Sequence, residues 1–320
     1  MKVAVAGEGA FGVKHLEAIA AIEGVEVACL AGGVAEATRE AAERFGIGDW
    51  TLRIDGCLER PDIEAIILAT PTPLHAAQAI QCLEAGKPVL VEIPIADNLG
   101  DALRLADVAL RTGVAAMAGH IRRFNPPHQW VGRRLRSGDL TLRQMEVQTH
   151  FLRRSNLNAL GQPRSWTDHL LWHHAAHAVD LFLHQAGEPC EIARAVQGPL
   201  HPTLGIAMDM SVQLRAASGA ICSLSLSFNN DGPFGSTYRY ICDEGAFVAR
   251  YDALSDGWGK PIDVSEPGVS GDGLELQDRA FFAAVRQRRE PEASVAQVLP
   301  AYRVLDRLAR DLEADQNGLR

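Results

Sequence analysis

The stretch KVAVAGEGAFG, residues 2–12, decides the fold of this chain, because it joins a short strand pattern to a glycine-rich turn and then to a helical pattern. Gly7, Gly9 and Gly12 have the spacing G-x-G-x-x-G. In such a turn the first glycine permits the tight bend, the second lets the backbone approach a pyrophosphate, and the third lets the helix pack on the strand. The helix N-terminus offers N–H groups and a partial positive charge to phosphate oxygens. The stretch therefore predicts a dinucleotide-binding unit.

The chain up to residue 120 continues to alternate strand and helix patterns, which is typical of a doubly wound parallel sheet. We expect helices over residues 13–22, 35–45, 56–60, 76–85 and 99–111, and strands over 25–30, 50–53, 65–70, 88–92 and 115–119. The strand at 65–70 is almost wholly apolar, as a strand buried on both faces would be. The loop that follows it lies at the carboxyl edge, where ligands of open α/β sheets bind. These patterns predict an N-terminal Rossmann domain over residues 1–120.

The pattern changes after His120. Strand patterns follow one another without crossover helices over residues 144–151, 192–197, 207–214, 220–228, 237–242 and 247–251. Such an order predicts a largely antiparallel sheet. Residues 256–272 read as a polar loop, and 275–288 and 295–312 as closing helices. We expect a second α/β domain with an open, mostly antiparallel sheet over residues 121–320; the alternative, that the last helices pack back on the first domain, stays open.

The composition excludes several classes of protein. At 320 residues, 47% of them hydrophobic, the chain is long enough to build two cores. A formal net charge of −9 argues against a nucleic-acid binder. The sequence has no long apolar run and begins directly with a strand pattern, so we expect neither a membrane span nor a signal peptide. The scattered cysteines favour reduced thiols in a cytoplasmic protein; they are residues 29, 57, 82, 190, 222 and 242.

Charge is distributed unevenly along the chain. Between His120 and Ser165 there are nine arginines and two acidic residues, so this segment carries about +7 within a chain of −9. Arginines bind carboxylates through paired hydrogen bonds. The excess therefore predicts a small anionic substrate, although some of these arginines fit a solvated helix surface equally well. The arginines that fit a solvated helix surface are Arg133, Arg134 and Arg136.

A histidine-rich stretch, SWTDHLLWHHAAHAVDLFL at residues 165–183, follows the arginines. It contains no glycine or proline and so predicts a helix, with Ser165 or Thr167 near its N-cap. Helical spacing would place the imidazoles and one carboxylate on a single stripe, with His174 beside it. That stripe comprises His169, His173, His177 and Asp180. Each imidazole is a candidate acid, base or metal ligand near neutral pH.

The second strand should end at the residue that contacts the adenosine ribose. Proteins specific for NAD usually place Asp or Glu there to accept a hydrogen bond from the 2′-hydroxyl. Here the strand ends in CLAGGV, residues 29–34, without an acid. We therefore expect NADP, with NAD possible as well, and regard Arg39 and Arg53 only as possible partners of the 2′-phosphate.

Several strings resemble the glucose–fructose oxidoreductase/inositol dehydrogenase (Gfo/Idh/MocA) family over essentially the whole chain. They are ATPTPLH at 69–75, AGK at 85–87, VEIP at 91–94 and HAVD at 177–180. The resemblance implies a nicotinamide-dependent oxidoreductase with a Rossmann domain and an open-sheet domain, usually a homodimer or larger. It also assigns His177 to the catalytic position. Two positions depart from the usual pattern: Ile93 stands where a lysine is common, and His173 where an aspartate is common.

Longer strings resemble one branch of that family, which oxidises the semialdehyde product of an aromatic ring cleavage. They are GHIRRFNP at 119–126, RSWTDHLLWHHAAH at 164–177 and SFNNDGP at 227–233. An ordinary aldehyde dehydrogenase needs a reactive thiolate, and no cysteine here has such a context. A cyclic hemiacetal, closed by the substrate's own enol oxygen, would need only a base that removes the hydroxyl proton.

From the motifs and the resemblance together we expect three sets of site residues. Candidate bases are His177, His173 and His174. Candidate substrate-binding residues are Arg122, Arg123, Arg164, Asn229, Asp168 and His169. Candidate cofactor-binding residues are Gly7, Gly9, Ala10, Phe11, Gly12, Ala31, Thr70, Pro71, Thr72, His75, Glu92 and Pro94.

Other readings remain open from the sequence. A pair such as His173 and His177 could bind zinc with outside ligands, but hydride transfer from an alcohol needs no metal, and we expect none. The substrate could be another anionic cyclic alcohol. The chain could also be an NADP-binding sensor without catalysis, although several candidate bases argue against that.

Overall fold

The structure, a computed structural model, describes residues 1–157, 161, 163, 164 and 166–318. The chain forms two compact units. The first comprises Met1–His120 together with Leu274–Leu299, and the second comprises Ile121–Gly273 and the residues from Pro300 on. The segment 274–299 thus belongs with the first unit.

The first unit is built on a six-stranded parallel sheet. Its strands are β1 Lys2–Ala6, β2 Glu26–Ala31, β3 Trp50–Thr51, β4 Ala65–Leu68, β5 Val89–Val91 and β6 Ala116–Ala118. Its helices before residue 120 are α1 Ala10–Ala20, α2 Ala35–Phe45, α3 Asp55–Leu58, α4 His75–Glu84 and α5 Leu99–Thr112. The spatial order is β3-β2-β1-β4-β5-β6. The predicted doubly wound parallel sheet is confirmed.

The order of these strands determines where a ligand can bind. The chain runs outward from β1 through β2 to β3 and then returns to β4 on the other side of β1. The sheet therefore has its topological switch point between β1 and β4, and ligands of such sheets bind at the carboxyl ends of the strands there. The four residues of β4 are completely buried, which explains their unbroken apolar sequence.

The second unit is built on an eight-stranded mixed sheet of order β14-β13-β12-β11-β7-β10-β9-β8. The strands are β7 Leu142–His150, β8 Cys190–Gln197, β9 Asp209–Ala216, β10 Ile221–Ser227, β11 Gly235–Cys242, β12 Gly245–Arg250, β13 Ala253–Asp256 and β14 Pro261–Ile262. Its helices are α6 Pro126–Ser137 and α7 Ala176–Ala186. Helix α8, Gly273–Gln287, belongs with the first unit, and α9, Val295–Gly318, begins in the first unit and continues into the second from Pro300. Neighbouring strands are antiparallel except β7 and β10, which pair in parallel. The prediction of a mostly antiparallel sheet is confirmed.

One face of this sheet is buried and the other is exposed and mainly polar, although Ile192, Val196 and Ile221 lie on it. Along β9 the side chains alternate strictly, with Met210, Val212 and Leu214 buried and Asp209, Ser211 and Gln213 exposed. This period of two is what a half-buried strand requires. Helix α7 contacts β7, and α6 contacts β12 and β13.

The structure departs from the predicted elements in three places, of which the first is helix α6, which was not among the predicted helices. The polar loop predicted over 256–272 overlaps β13 and contains the two-residue strand β14, where Ser255 pairs with Pro261. These strands are too short to show a hydrophobic period, so the pattern could not reveal them. The helix predicted from residue 165 begins later and differently, as described below. None of the helices in the described part of the chain is long and apolar enough to cross a membrane.

Candidate active site

The glycine-rich turn of the first unit has the close approaches that its motif predicts. Gly7 has φ of +119°, and a Cβ there would overlap the carbonyl oxygen of Ala69. A Cβ on Gly12 would overlap the carbonyl of Gly7, so α1 can lie against the turn only with glycine at this position. In contrast, a Cβ on Gly9 would meet nothing within 4 Å. The turn is therefore packed on the protein side and open at Gly9, where the motif expects a pyrophosphate.

The N-terminus of α1 suits an anion. Gly9 is its N-cap with extended backbone and no side-chain cap, and no acidic residue lies in the first turn. Uncapped N–H groups and the helix dipole favour phosphate there. Ala10 and Phe11, both exposed, begin the helix, and the ammonium group of Lys14 lies 4.9 Å from the Phe11 ring centre. A lysine one turn into the helix adds positive charge to the same end.

The loops after β4 and β5 are tied together by His75. Its Nδ1 lies 2.8 Å from the carbonyl oxygen of Pro94, and its Nε2 lies 2.7 Å from that of Thr70. Burial lowers the pKa of His75, and the hydrogen bonds to the two carbonyl oxygens act in the opposite direction. Thr70 also donates to Gln78 at 2.6 Å, and Pro71 precedes a short 3-10 turn that includes the buried Thr72. His75 therefore fixes the loops in which the cofactor-binding candidates lie.

Glu92 belongs to a buried charged cluster, which the sequence did not indicate. His15 of α1 places Nδ1 2.9 Å from a carboxylate oxygen of Asp278 on α8 and Nε2 3.1 Å from Oε1 of Glu92. His15 and Asp278 are fully buried, and Glu92 is 8% exposed. Burial lowers the pKa of His15, but the charges and hydrogen bonds of Asp278 and Glu92 outweigh it and raise this pKa to about 10. The cluster thus holds a protonated imidazole between two acids, next to the Glu92-Ile93-Pro94 string.

The histidine stretch of the second unit is not the regular α-helix that we predicted. Ser165 lies outside the described residues, and Thr167 lies in an irregular segment. A π-helical turn spans Leu170–Ala175 and leads into α7. His169 is the N-cap of that turn. The single stripe of imidazoles is therefore wrong, because the turn is wider than an α-helical one and His169 precedes it. An α-helical period was assumed, and the extra residue of a π-turn leaves no signature in the apolar pattern.

Two of the imidazoles cap this turn. Nδ1 of His169 accepts the N–H of Leu171 at 3.1 Å, and Nδ1 of His173 accepts the N–H of His169 at 2.9 Å. A backbone N–H can only donate, so in each neutral ring Nδ1 is unprotonated and the hydrogen is on Nε2. Both rings thus present an N–H donor at Nε2. His173 also stacks on Trp166, with ring centres 5.6 Å apart, which fixes its plane.

Two arginines bind Asp168, which directly precedes His169 and the π-helical turn; we call this turn, Leu170–Ala175, the histidine turn. Arg153 donates to one carboxylate oxygen, and Arg164 donates to the other at 3.2 Å. The side chains of Arg153 and Asp168 are only 13% and 16% exposed. Nη1 of Arg153 is buried and has no hydrogen-bond partner among the described residues. The cluster carries two guanidinium groups and one carboxylate, so it retains a net positive charge and an unused donor.

Arg153 is positioned by the end of the parallel strand pair. Beyond β7 and β10, the N–H of Phe151 donates to the carbonyl oxygen of Ser227, and that of Arg153 donates to the carbonyl oxygen of Phe228, both at 2.8 Å. The guanidinium carbon of Arg153 lies 4.9 Å from the centre of the Phe228 ring. Sequence reasoning left Arg153 out of the candidate set. Its position just after the carboxyl end of β7, on the way to the histidine-rich stretch, was the signal that could have included it.

His174 lies between two aromatic rings beside this cluster. Its ring centre is 5.3 Å from that of Phe151 and 5.1 Å from that of Phe228. Burial lowers the pKa of His174 to about 4, with the charge of Arg153 acting in the same direction and that of Asp168 against it. Its Nε2 has no hydrogen-bond partner among the described residues. His174 is thus neutral near pH 7, and one polar nitrogen of its ring remains available to a ligand.

The remaining candidates make other contacts. Arg123 forms a two-fold hydrogen-bonded ion pair with Asp180, at 2.8 and 2.6 Å, in which both side chains are nearly buried. The pair neutralises its charge, so we do not place Arg123 in the proposed substrate site. Arg122 donates to Asn125 at 3.2 Å and lies over Tyr238. Asn229 bridges Arg154 and Asp209 at 2.9 and 2.7 Å.

These arrangements define a class of protein. A Rossmann sheet with an open glycine turn, followed by an open-sheet domain that carries histidines and arginines, is the architecture of a nicotinamide-dependent oxidoreductase. Residues 1–120 match the model of the oxidoreductase family with an NAD-binding Rossmann fold, and residues 126–268 match the model of the C-terminal domain of bacterial oxidoreductases. The chain belongs to the Gfo/Idh/MocA family of oxidoreductases.

Individual relatives agree with this assignment. The chain is 55% identical, over 98% of its length and 99% of the relative's, to 4-carboxy-2-hydroxymuconate-6-semialdehyde dehydrogenase from Sphingobium sp. strain NBRC 103272 / SYK-6. It is 23% identical to inositol 2-dehydrogenase 2 from Paenarthrobacter aurescens strain TC1, covering 98% of this chain and 97% of the relative. Levoglucosan dehydrogenase, solved with NADH and L-sorbose, has the same fold, with a TM-score of 0.86, 22% identity and coverage of 98% and 97%.

Proposed function

We propose that this protein uses NADP to oxidise 4-carboxy-2-hydroxymuconate-6-semialdehyde to 2-pyrone-4,6-dicarboxylate. The semialdehyde reacts as its cyclic hemiacetal. The reaction belongs to the 4,5-cleavage pathway of protocatechuate, including protocatechuate derived from lignin. The observation that carries this proposal is the 55% identity, over nearly the full length of both chains, to a dehydrogenase named for that substrate. The arginine pair beside the histidine turn supports it, because the substrate is an anion with two carboxylates near neutral pH.

The cysteines support an alcohol-type oxidation. All six are free thiols, five of them are buried and Cys190 is half-buried. Burial raises the pKa of Cys82, Cys190 and Cys222. A hydrogen bond with Cys57 lowers the pKa of Cys29 to about 7, but Cys29 is only 3% exposed. A substrate that forms its own hemiacetal needs no thiolate, because the carbon to be oxidised already carries a hydroxyl group.

The base in this proposal is His177. His173 presents an N–H at Nε2 and uses Nδ1 to cap the turn, which makes it a hydrogen-bond donor. His174 has a pKa near 4, and a base is most effective when its pKa lies close to the working pH. His177, the position that the family resemblance assigns to catalysis, remains. It takes the proton of the hemiacetal hydroxyl while the C–H bond to the same carbon breaks, which leaves the lactone carbonyl.

The arginines bind the carboxylates of the substrate. Arg153 has an unused buried donor and Arg164 shares Asp168 with it. Charged hydrogen bonds of this kind contribute about 1.5–3 kcal/mol each. Asp168 keeps the two guanidinium groups together when no substrate is bound. Arg122, with an unpartnered Nε among the described residues, is the next candidate. In contrast, His169 caps the backbone of the π-helical turn, and Asn229 is held between Arg154 and Asp209.

The cofactor would be held by the first unit. The amides at the start of α1 and the open Gly9 suit its pyrophosphate, and the loop from Thr70 to Thr72 lies at the switch point of the sheet. A nicotinamide bound there would supply the acceptor for the hydride that leaves the substrate carbon. The proposal of NADP rests on the absence of an acid at the end of β2 itself, and NAD is expected to serve as well.

The direct test mixes the protein with NADP and freshly prepared ring-cleavage product of protocatechuate 4,5-dioxygenation. We expect absorbance of reduced nicotinamide to grow and 2-pyrone-4,6-dicarboxylate to appear by mass spectrometry, with one equivalent of each. A chelator-treated sample should give the same rate. Cofactor binding without turnover of this or a related anionic cyclic alcohol would instead favour the non-catalytic sensor.

A further inference from the structure

A carboxylate from the glycine-rich turn reaches the end of β2. Oε1 of Glu8, the residue between Gly7 and Gly9, accepts the backbone N–H groups of Gly33 and Val34, each at 2.9 Å. These two amides follow β2 and precede α2. The turn is held at this place by its backbone, because the N–H of Gly7 donates to the carbonyl oxygen of Ala31 at 2.7 Å.

The two amides form a small anion-binding nest at the start of a helix. Val34 is the N-cap of α2 with extended backbone and has no side-chain cap of its own. Its carbonyl accepts both the N–H of Thr38 at 2.8 Å and the Thr38 hydroxyl at 2.7 Å. Adjacent backbone N–H groups at a helix start favour a negative charge. In this structure the chain supplies that charge itself, through Glu8.

This loop is also where a dinucleotide-binding domain distinguishes its cofactors. The end of β2 contacts the adenosine ribose, which carries a 2′-hydroxyl in NAD and a 2′-phosphate in NADP. A carboxylate accepts a hydrogen bond from the hydroxyl, but it repels the phosphate and competes with it for the same amides. Glu8 is half-buried, and its Oε2 makes no hydrogen bond with the described residues. One oxygen thus occupies the nest while the other remains available to a ribose hydroxyl.

We propose that Glu8 sets the balance between NADP and NAD in this protein. With NAD, the carboxylate stays on the amides of Gly33 and Val34 and accepts from the 2′-hydroxyl. With NADP, the 2′-phosphate displaces it and takes over the two N–H groups. The loop after β2 has no acidic residue of its own and would favour NADP. Glu8 limits this preference. The inference deepens the proposed function and rests on its cofactor site.

The test is nucleotide binding to the whole protein by calorimetry, with NADP, NAD, 2′,5′-ADP and 5′-ADP as titrants. Glu8→Gln removes the charge but keeps an oxygen that can accept the two N–H groups, so the loop should stay in place. We expect this variant to bind NADP and 2′,5′-ADP about tenfold more tightly or better, because a like charge near the phosphate is gone. Binding of NAD and 5′-ADP should change less than threefold or weaken.

Glu36→Gln is the matched control, since Glu36 is an exposed acid in the first turn of the same helix that makes no such contact. It should leave the ratio of NADP to NAD affinity within about threefold of the unmutated protein. An unchanged ratio in Glu8→Gln, with both cofactors bound, overturns the inference and leaves the proposed function standing. An equal shift in both variants also overturns it, because then any nearby charge would suffice. Failure of the unmutated protein to bind either cofactor overturns both.

Discussion

At the scale of single residues, the candidate site is organised by carboxylates that form ion pairs with arginine side chains. Asp168 holds Arg153 and Arg164 together, and Asp180 takes up the charge of Arg123. The second pair is nearly buried and closed, whereas Arg153 of the first has a buried donor without a partner in the part of the chain that the structure describes. Of the arginines in the basic segment, the ones beside Asp168 therefore remain able to receive an added carboxylate.

Arg153→Gln should weaken substrate binding and leave the cofactor untouched. Loss of a charged hydrogen bond of about 1.5–3 kcal/mol predicts a rise in KM of roughly ten- to a hundredfold. The affinity for NADP should stay the same. Arg154→Gln is the control, because Arg154 bonds Asn229 and backbone carbonyls at a largely exposed position. If KM moves equally in both variants, or in neither, the carboxylate site lies elsewhere.

Substitutions of His177 and His173 should affect different kinetic parameters, kcat in the first case and KM in the second. His177→Asn should lower kcat by about 10²–10⁴ if His177 is the general base. His173→Asn should raise KM more than it lowers kcat, because His173 caps the turn that lies beside the proposed substrate site. Full turnover in His177→Asn would move the role of base to another residue.

At the scale of elements, the buried cluster of His15, Glu92 and Asp278 joins α1, the end of β5 and α8 within the first unit. His15→Gln should lower the free energy of unfolding by about 3–5 kcal/mol near neutral pH, since removing one partner leaves two buried acids without a counter-charge. Because folding raises the pKa of His15 from 6.5 to about 10, its contribution is complete below pH 6.5 and fades as the pH rises to 10.

Urea unfolding of the unmutated and His15→Gln proteins checks this dependence. The difference in stability between them should be largest below pH 6.5, and the part that depends on the His15 proton should be lost as the pH rises through about 10. A difference that grows with pH would mean that His15 is neutral in the folded protein. His201→Gln provides a control, because His201 lies in a turn of the second unit where its ring caps neighbouring backbone N–H groups.

The elements that sequence patterns predicted well are those with a repeated period or a fixed motif. The glycine turn, the apolar β4 and the alternating strands of the second sheet each depend on many residues that agree, so their type was predictable. The π-helical turn at Leu170–Ala175 depends on a single change of hydrogen-bond register. The Arg153–Asp168 contact depends on where β7 ends in space. Neither leaves a local pattern, and both fall in the candidate site.

At the scale of the whole molecule, we propose a homodimer, which the family resemblance implies, and place its interface on the exposed face of the second sheet. The outward side chains of β10 are Ser223, Ser225 and Ser227, small enough to let another sheet approach closely. Ile221, which is 37% exposed, adds apolar area on the same strand. Light scattering after gel filtration should give twice the mass of 34.6 kDa, and Ser225→Arg should shift the protein toward the monomer. A monomeric unmutated protein contradicts the prediction.

The π-helical turn has a consequence for the comparison of relatives. It accommodates one more residue than an α-helical turn, so the number of residues between His169 and Ala176 sets the direction of each ring as much as their identity does. Removal of one residue there would let the turn close as an α-helix and rotate His173 and His174 by about 100° relative to α7. A relative with a one-residue gap in this segment would retain each of these histidines in an alignment and still have lost the arrangement. Gap positions, more than matched columns, should therefore mark the boundary of the subfamily that shares this chemistry.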